Sequence, residues 1–442
     1  MENRKNVLKN FERYAAYTND RVKNGIEQNR KAFAKIVVKD KEGNPMQGVS
    51  VKAEQTEHAF RYGANLFMLD ELETDEKNRL YKKYFAEAFN MATLPFYWNT
   101  LEPEKGKQRY DKNSPKIYRR PAIDLCLEFC RENNIEPREH ALAYEHFFPD
   151  WLKGKSVSEV KFELERRFSE IAERYADKIN TIEVVNELQW RSGVTDFYRS
   201  DDFLEWCYKT AEKYFPNNQL GINEWYGIWN GNWKTLDSYY LMIENTILKG
   251  ARIDAIGLQY HMFFKREDEE EKTGSFYNPM VLYGIMDTYS KLNRPLQITE
   301  VTIPAYSANA EDEEMQAQII EHLYPIWFSH PNVEQIIYWN LADGYAAFAP
   351  QGDMTAGENY YYGGLLRFDL SPKPAYYAVK NLFEKKWHTS ESMATNANGE
   401  AFFKGFKGKY SLTFEKGGQT ITKEAKILKG MPTENCIEIT LD

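Results

Sequence analysis

The chain has 442 residues and a formal net charge of −9, which argues against a nucleic-acid partner, since such proteins usually present a basic face. Its 30 Tyr and 10 Trp either fill a core or line a ligand groove. The four Cys and the absence of any apolar run long enough to span a bilayer predict neither a disulfide framework nor a membrane partner; the cysteines are expected to be reduced or structural.

The N-terminal segment, residues 1–32, is predicted to be helical. Val7, Leu8 and Phe11 recur at intervals of three and four residues, which is the spacing of one helix face. The segment lacks the apolar stretch of an export signal. We therefore expect a cytoplasmic protein for the chain as written, or a secreted or periplasmic one if a leader has been removed, and the sequence leaves this open.

Two segments, 33–59 and 389–442, alternate apolar and polar residues as half-buried strands do. Neither has enough strands to bury a core by itself. We predict that they join into one small accessory β-sandwich, with two separate decorations as the alternative. They resemble the first and second halves of carboxypeptidase-regulatory-like sandwich repeats, which favours the joined form.

Residues 60–388 show a different sequence pattern, in which short apolar strands alternate with longer helical segments. The predicted strands are 60–68, 91–97, 136–143, 181–187, 219–225, 255–263, 296–303 and 335–343. Eight strand–helix pairs over ~300 residues are typical of a (β/α)8 TIM barrel. An open doubly wound sheet is the alternative, but it usually carries a glycine-rich phosphate turn that this sequence lacks. The predicted fold class is therefore α/β, a TIM barrel with the accessory sandwich.

Polar and aromatic residues follow these strands at their carboxyl ends, where TIM-barrel active sites lie. Candidate binding residues are Tyr97, Trp98, His140, Tyr144, Asn186, Trp225, Trp229, Gln259, His261 and Trp339. Two carboxylates stand out: Glu187 ends the fourth strand, and Glu300 lies in the seventh. These two strands face each other across the barrel mouth. One strand-end Glu could belong to a structural ion pair, but two in facing positions weaken that interpretation.

Two carboxylates on opposite walls of a cleft are what glycoside hydrolysis requires. One donates a proton to the leaving oxygen, and the other attacks the anomeric carbon or activates water. The neighbouring amides and imidazoles can bind sugar hydroxyls, and indole rings can stack on sugar faces; these are Trp190, Trp225, Trp229, Trp233 and Trp339. We expect a carbohydrate substrate, no cofactor and no metal, while the oligomeric state cannot be read from the sequence.

Six segments resemble, in order, the family 10 glycoside hydrolases, the retaining endo-β-1,4-xylanase family. They are "FNMATLPFYWNTLEPEKGKQRYD", "EHALAYEHFFPDWL", "EVVNE", "GLQYHM", "ITEVTI" and "GGLLRFDLSPKPAYYAVKNL". The resemblance covers roughly residues 60–385. It implies a retaining glycoside hydrolase that acts on a plant-type, xylan-like β-glycan.

The resemblance also implies roles for the matching residues. Glu187 would be the general acid/base, Glu300 the nucleophile, and Asn186 the contact to the sugar 2-hydroxyl. His261 would hydrogen-bond Glu300 and help to keep it ionised, so a low pKa is expected for Glu300. The remaining residues that would line the reacting-sugar subsite are Gln259, His140 and Trp339.

The match fails on the side of the second strand. The family carries a Glu-Asn pair and a Lys there, at positions that read Thr93, Leu94 and Tyr97 in this chain, and Tyr144 replaces a Trp. This more apolar and phenolic wall favours an alternative substrate, either a decorated glycan or a β-glycoside with a bulky aryl or terpenoid aglycone. The aromatic loop 225–233 is interpreted as a stacking platform for the leaving group, with local packing as the alternative.

Two other classes of function remain as alternatives. A non-catalytic carbohydrate-binding barrel would be indicated by loss of either Glu, and both are present. A metal-dependent hydrolase could use His140, His146 and His261, but such enzymes usually carry a His-x-His on the first strand, and "FRYGANLFM" has no His.

Overall fold

A computed structural model describes residues 4–190, 195–230 and 235–441 of the chain. The chain divides into two compact units. The first unit consists of Met1–Ala15, Tyr62–Trp327 and Asn332–Ala378, and the second of Ala16–Arg61, Phe328–Pro331 and Val379–Asp442. The domain boundaries given above from the sequence stay a prediction.

The described residues form fifteen strands, numbered in chain order. They are β1 Lys31–Lys39, β2 Ser50–His58, β3 Arg61–Asn65, β4 Met91–Pro95, β5 Glu136–His140, β6 Thr181–Asn186, β7 Gln219–Glu224, β8 Ala255–His261, β9 Leu296–Thr302, β10 Val333–Tyr338, β11 Ser390–Ala394, β12 Glu400–Phe406, β13 Gly408–Lys416, β14 Gln419–Ile427 and β15 Cys436–Thr440.

The α-helices of the same residues are also numbered in chain order. They are α1 Lys9–Arg13, α2 Ala15–Gly25, α3 Asp75–Ala88, α4 Trp98–Leu101, α5 Ile123–Glu132, α6 Val157–Tyr175, α7 Phe203–Tyr214, α8 Ser238–Leu248, α9 Glu269–Lys272, α10 Pro279–Tyr289, α11 Ala310–Ser329 and α12 Pro374–Asn381. The predicted N-terminal helix is therefore interrupted, because Tyr14, between α1 and α2, has a non-helical backbone with φ −103° and ψ 15°.

Strands β3 to β10 close into a parallel barrel in the order β10-β3-β4-β5-β6-β7-β8-β9, which confirms the predicted TIM barrel. Every residue of β6, β8 and β9 is buried, as expected for strands covered on both faces. Four connecting helices, α3, α6, α8 and α10, begin at a side-chain cap. Ser156 caps the start of α6: its hydroxyl accepts from Glu159 N while the Glu159 carboxylate accepts from Ser156 N, a capping box.

The accessory β-sandwich is confirmed, because the N- and C-terminal segments share two sheets. One sheet has the order β12-β1-β15 and the other β11-β2-β13-β14. Alternate residues of β1 face the core that both sheets enclose, as period-two strands require. The fully or nearly buried members of this core are Ala32, Ala34, Ile36, Val38, Val49, Val51, Ala53, Ala401, Phe403, Tyr410, Leu412, Phe414, Ile427, Ile439 and Leu441.

The pairing of β1 with β15 explains why the two segments need each other. The two strands run parallel, with Lys35 opposite Cys436, and the chain between them includes the entire barrel. Loop closure over such a length cannot be read from local sequence periodicity. The four cysteines are free, three of them buried, and no helix within the described part of the chain is long and apolar enough to cross a bilayer.

Candidate active site

A cavity of about 460 Å³ lies at the carboxyl ends of the barrel strands. Ten of the twelve predicted site residues line it. They are Tyr97, His140, Tyr144, Asn186, Glu187, Trp225, Gln259, His261, Glu300 and Trp339. These residues come from segments that are far apart in the sequence, and the parallel barrel brings them together because all of its strands end at one rim.

Glu187 and Glu300 share a hydrogen-bond partner. Gln259 Nε2 lies 2.9 Å from Glu187 Oε1 and 3.1 Å from Glu300 Oε1. These two oxygens can therefore be no more than 6.0 Å apart, the sum of the two distances. The carboxylates face the same small cavity, and one amide group from β8 sets the gap between them.

Glu187 follows β6 with a positive φ of 53°, a backbone conformation uncommon for residues other than glycine. Its amide donates to Asn223 O at 3.1 Å, and its carbonyl accepts from the Tyr198 hydroxyl at 2.8 Å. The Tyr144 hydroxyl donates to Glu187 Oε2. These bonds turn the side chain at the end of the strand into the cavity, where it is partly exposed.

Glu300 is almost fully buried, in the middle of β9. Its Oε1 accepts from Asn223 Nδ2 at 2.7 Å, and its Oε2 lies 3.1 Å from His261 Nε2. Burial raises the pKa of Glu300 to about 8, against the attraction of His140. The expected low pKa is therefore wrong, because removing the carboxylate from water outweighs the groups that favour its charge.

His261 is held neutral beside Glu300. Burial lowers the pKa of His261 to about 4. Its Nδ1 lies 2.9 Å from Thr302 Oγ1, so the ring is fixed at both nitrogens. A neutral imidazole can donate to an ionised Glu300 or accept from a protonated one, depending on which nitrogen carries the hydrogen.

A buried charge network behind the cavity was not found from the sequence. Glu183, three residues before Asn186, accepts from Arg138 Nη2 and lies 2.8 Å from His140 Nδ1. Burial opposes the charged form of His140, but the attraction of Glu183 outweighs it and raises the pKa of His140. The other nitrogen, His140 Nε2, lies 3.0 Å from the Tyr97 hydroxyl. The network therefore fixes the orientation of two cavity-lining rings.

Two predicted binding residues do not line the cavity. Trp98 is 2% exposed, and its Nε1 donates to Glu102 Oε2 at 2.9 Å; as the first residue of α4 it packs inward, away from the rim. Trp229 is fully buried, and its Nε1 donates to Gln259 O at 2.6 Å. The interpretation of both as sugar contacts is corrected: Trp98 packs in the core, and Trp229 supports the backbone that carries Gln259.

Part of the predicted aromatic loop lies outside the described residues, including Trp233, and so does the side chain of Trp190. Several residues that line the cavity were not predicted, and they lie outside the barrel strands. They are Arg119, Arg120, Phe147, Tyr198, Phe263 and Glu358. The two adjacent arginines, within "IYRRPAI", carry no motif or periodicity that would place them at the rim.

Known proteins of similar sequence cover 63% to 90% of this chain. An anti-sigma-I factor, RsgI6 of Acetivibrio thermocellus, is 25% identical over 413 residues, covering 90% of this chain and 47% of that protein. The endo-1,4-beta-xylanase B of Cellvibrio japonicus is 25% identical over 63% of this chain and 41% of its own length. The endo-1,4-beta-xylanase B of Thermotoga neapolitana is 26% identical over 74% of this chain and 88% of its own length. The chain thus spans less than half of the first two relatives.

Solved structures of xylanases show the same fold. The endo-1,4-beta-xylanase from Caldicellulosiruptor owensensis superposes with a TM-score of 0.58 at 20% identity, covering 73% of this chain and 97% of that one. Xylanase 10B from Thermotoga maritima superposes with a TM-score of 0.56 at 23% identity, covering 74% of this chain and 96% of that one. The sequence model of glycosyl hydrolase family 10 matches residues 54–382, well over half of the chain. The chain belongs to glycosyl hydrolase family 10.

Proposed function

We propose that this protein is a retaining glycoside hydrolase that cleaves the β-1,4 bonds of a xylan-like chain by double displacement. The observation that carries the proposal is the Gln259 bridge, which limits the nearest Glu187 and Glu300 oxygens to 6.0 Å. Retaining glycosidases hold their carboxyl groups ~5–5.5 Å apart, and inverting ones ~6.5–9.5 Å. Family membership and the xylanases among the similar proteins support the substrate class.

In the first step Glu187 donates its proton to the leaving oxygen while Glu300 attacks the anomeric carbon. A covalent glycosyl-enzyme forms, and Glu187 then removes a proton from the water that hydrolyses it. The partial exposure of Glu187 suits a group that exchanges protons with water. The deep burial of Glu300 suits a group that must meet the sugar ring and not bulk solvent.

Before the anomeric carbon is attacked, one of the two carboxyl groups must carry a proton and the other must be ionised. With a pKa of about 8, Glu300 holds a proton at neutral pH in the free site. Double displacement needs a protonated acid and an ionised nucleophile, so the productive form has the proton on Glu187 and the charge on Glu300. Neutral His261 at 3.1 Å can donate to that charge.

Asn186 is the contact proposed for the sugar 2-hydroxyl. Its Oδ1 accepts from Asn223 Nδ2 at 2.9 Å, which fixes the amide plane and leaves its nitrogen as the group offered to the sugar. Asn223 also donates to Glu300, so one amide aligns the hydroxyl contact with the nucleophile. A contact of this kind strengthens in the transition state.

A second substrate class is favoured by the wall beside β4. Phe67, Tyr97 and Trp339 pack together there, with Tyr144 and Phe147 against them. This aromatic surface favours a decorated glycan or a β-glycoside with a bulky aryl or terpenoid aglycone. A panel of β-glycans and aryl β-glycosides, with the products sized, separates it from plain xylan.

The mechanism is tested by product stereochemistry. Proton NMR of early products should show the β-anomer first, because two inversions at the anomeric carbon restore the configuration; an initial α-anomer contradicts retention. Glu187→Ala should keep turnover of substrates with good leaving groups and recover activity with azide. The exposed Glu132→Ala is the matched control and should behave as the parent chain. Tight sugar binding without any turnover would instead favour the non-catalytic barrel.

A further inference from the structure

Two consecutive arginines, Arg119 and Arg120, line the same cavity as the two catalytic candidates. They lie in the loop between α4 and α5. Arg119 has a φ of 62°, in the left-handed region that is uncommon for residues other than glycine. Such outliers cluster at ligand clamps, and here both arginines line one cavity.

The loop is held in place by its own hydrogen bonds. Arg109 donates to Pro115 O and to Thr100 O, at 2.9 and 2.8 Å. The Arg120 amide donates to Ile117 O at 2.8 Å. The arginine pair is therefore set before any ligand arrives, which lowers the entropy cost of binding.

Arg119 supports the pair from behind. Its guanidinium donates to Tyr345 O and to Asn340 Oδ1, the latter at 3.4 Å. The Asn340 amide donates in turn to Glu358 Oε2 at 3.2 Å. Asn340 thus lies between the arginine and Glu358, the further carboxylate on the cavity wall.

Arg120 is less satisfied. Its guanidinium carbon lies 3.9 Å from the centre of the Tyr97 ring, and its Nη1 donates to Arg119 O at 2.8 Å. Its buried Nε has no hydrogen-bond partner. Among the residues that the structure describes, neither arginine forms an ion pair with an acidic side chain. Burial lowers the pKa of Arg120 to about 10, so it is still a cation at neutral pH.

An unpaired cation in a largely buried wall needs a compensating anion, since buried charges are normally paired. The net charge of −9 repels acidic ligands at long range, so such a ligand has to be recognised through local contacts. The arginine pair makes the local electrostatic potential positive at this part of the cavity wall. A guanidinium fork matches a carboxylate in two parallel hydrogen bonds.

We propose that Arg120, supported by Arg119, binds the carboxylate of a uronic-acid residue on the glycan, so that the enzyme selects acidic chains. The inference rests on the proposed glycosidase function and names its substrate class. Arg120 lies on Tyr97, whose ring centre is 6.0 Å from that of Tyr144, and Tyr144 donates to Glu187. The acidic group therefore lies close to the cleaved bond and on the same wall.

The test measures binding apart from turnover. Glu300→Gln in the full chain is titrated calorimetrically with three ligands: xylotetraose, xylotetraose carrying one glucuronic acid, and xylotetraose carrying one sulfate. The uronic ligand should bind about 10- to 100-fold more tightly than the neutral one, the range expected for charge-assisted hydrogen bonds. Raising the salt from about 0.05 to about 0.5 M should weaken only the acidic ligands.

Arg120→Met in this background should remove the preference and leave neutral binding within about threefold, while Arg120→Lys should retain part of it. Arg131→Met, at an exposed position of α5, changes the net charge equally and should retain all of it. The proposal is overturned if the Glu300→Gln chain binds the neutral and the uronic ligand with equal affinity. It is also overturned if Arg120→Met weakens the binding of these two ligands equally. Tighter binding of the sulfate ligand than of the uronic ligand overturns the choice of a carboxylate. If the binding pattern holds but the unsubstituted Glu300 enzyme cleaves neither ligand, the proposed function fails and the inference stands.

Discussion

Replacing Glu300 by Gln should stabilise the protein while it abolishes hydrolysis. The carboxyl has an ordinary pKa of 4.5 and a folded pKa of about 8. The folded state therefore binds more protons than the unfolded state between these values, and stability is lost as pH rises from 4.5 to 8. Gln cannot ionise, so the variant does not suffer this loss.

The magnitude follows from the width of that window. Each pKa unit is worth about 1.36 kcal/mol. At pH 7 the wild-type chain has crossed about 2.5 units of the window, so Glu300→Gln should be more stable by about 3 kcal/mol. The difference should rise to about 5 kcal/mol above pH 8 and fall to near zero at pH 4.

The site can accept the amide without losing its bonds. In the Glu300→Gln variant the side-chain oxygen would still accept from Asn223 and Gln259, as the carboxylate does now. The introduced NH2 group would donate to His261 Nε2, once that neutral ring places its hydrogen on Nδ1 toward Thr302. Polar satisfaction is kept while the buried charge is removed, which is the condition for a stabilising substitution.

The assay is thermal and urea unfolding of both proteins at pH 4.5, 7 and 8.5, with far-UV dichroism as a second probe. The chain has two compact units, so the transition of the barrel must be identified by near-UV signals. Glu132→Gln, an exposed change, should show no such pH dependence. A Glu300→Gln chain that is equally or less stable at pH 8.5 would refute the reasoning that burial of this carboxylate destabilises the folded protein.

Three further substitutions test the surroundings. Tyr144→Phe removes the hydroxyl that donates to Glu187 and should lower kcat at least about tenfold; unchanged steady-state kinetics would exclude a catalytic contact. Glu183→Gln leaves Arg138 without its buried counter-charge and should cost about 3–5 kcal/mol in urea unfolding, and a cost below about 1 kcal/mol would contradict that network. Trp98→Phe should lower Tm through lost packing with an unchanged KM, whereas a raised KM at unchanged Tm would restore it as a sugar contact.

Much of the fold could be predicted because its signals are local. Alternation of apolar and polar residues located the sandwich strands, and buried runs located the barrel strands to within a few residues. A parallel barrel has only one rim at which all strands end, so polar residues after β6 and within β9 had to converge there. The strand pattern, together with the barrel fold, thus predicted that Glu187 and Glu300 lie at one rim, and both line the same cavity.

The remaining features depend on contacts that sequence periodicity does not encode. Whether Trp98 and Trp229 face the cavity or the core is decided by how loops fold back, and both turned inward. The pKa of Glu300 follows from the depth of its burial, which no strand pattern reports. The position of Arg120 over Tyr97 depends on a loop that Arg119 ties to Asn340 and Tyr345, 221 and 226 residues further along the chain. Identity and order of the candidate catalytic groups were therefore set by the sequence, while their charge states and the walls that choose the sugar were decided by tertiary packing, because desolvation and loop closure act between residues distant in the chain.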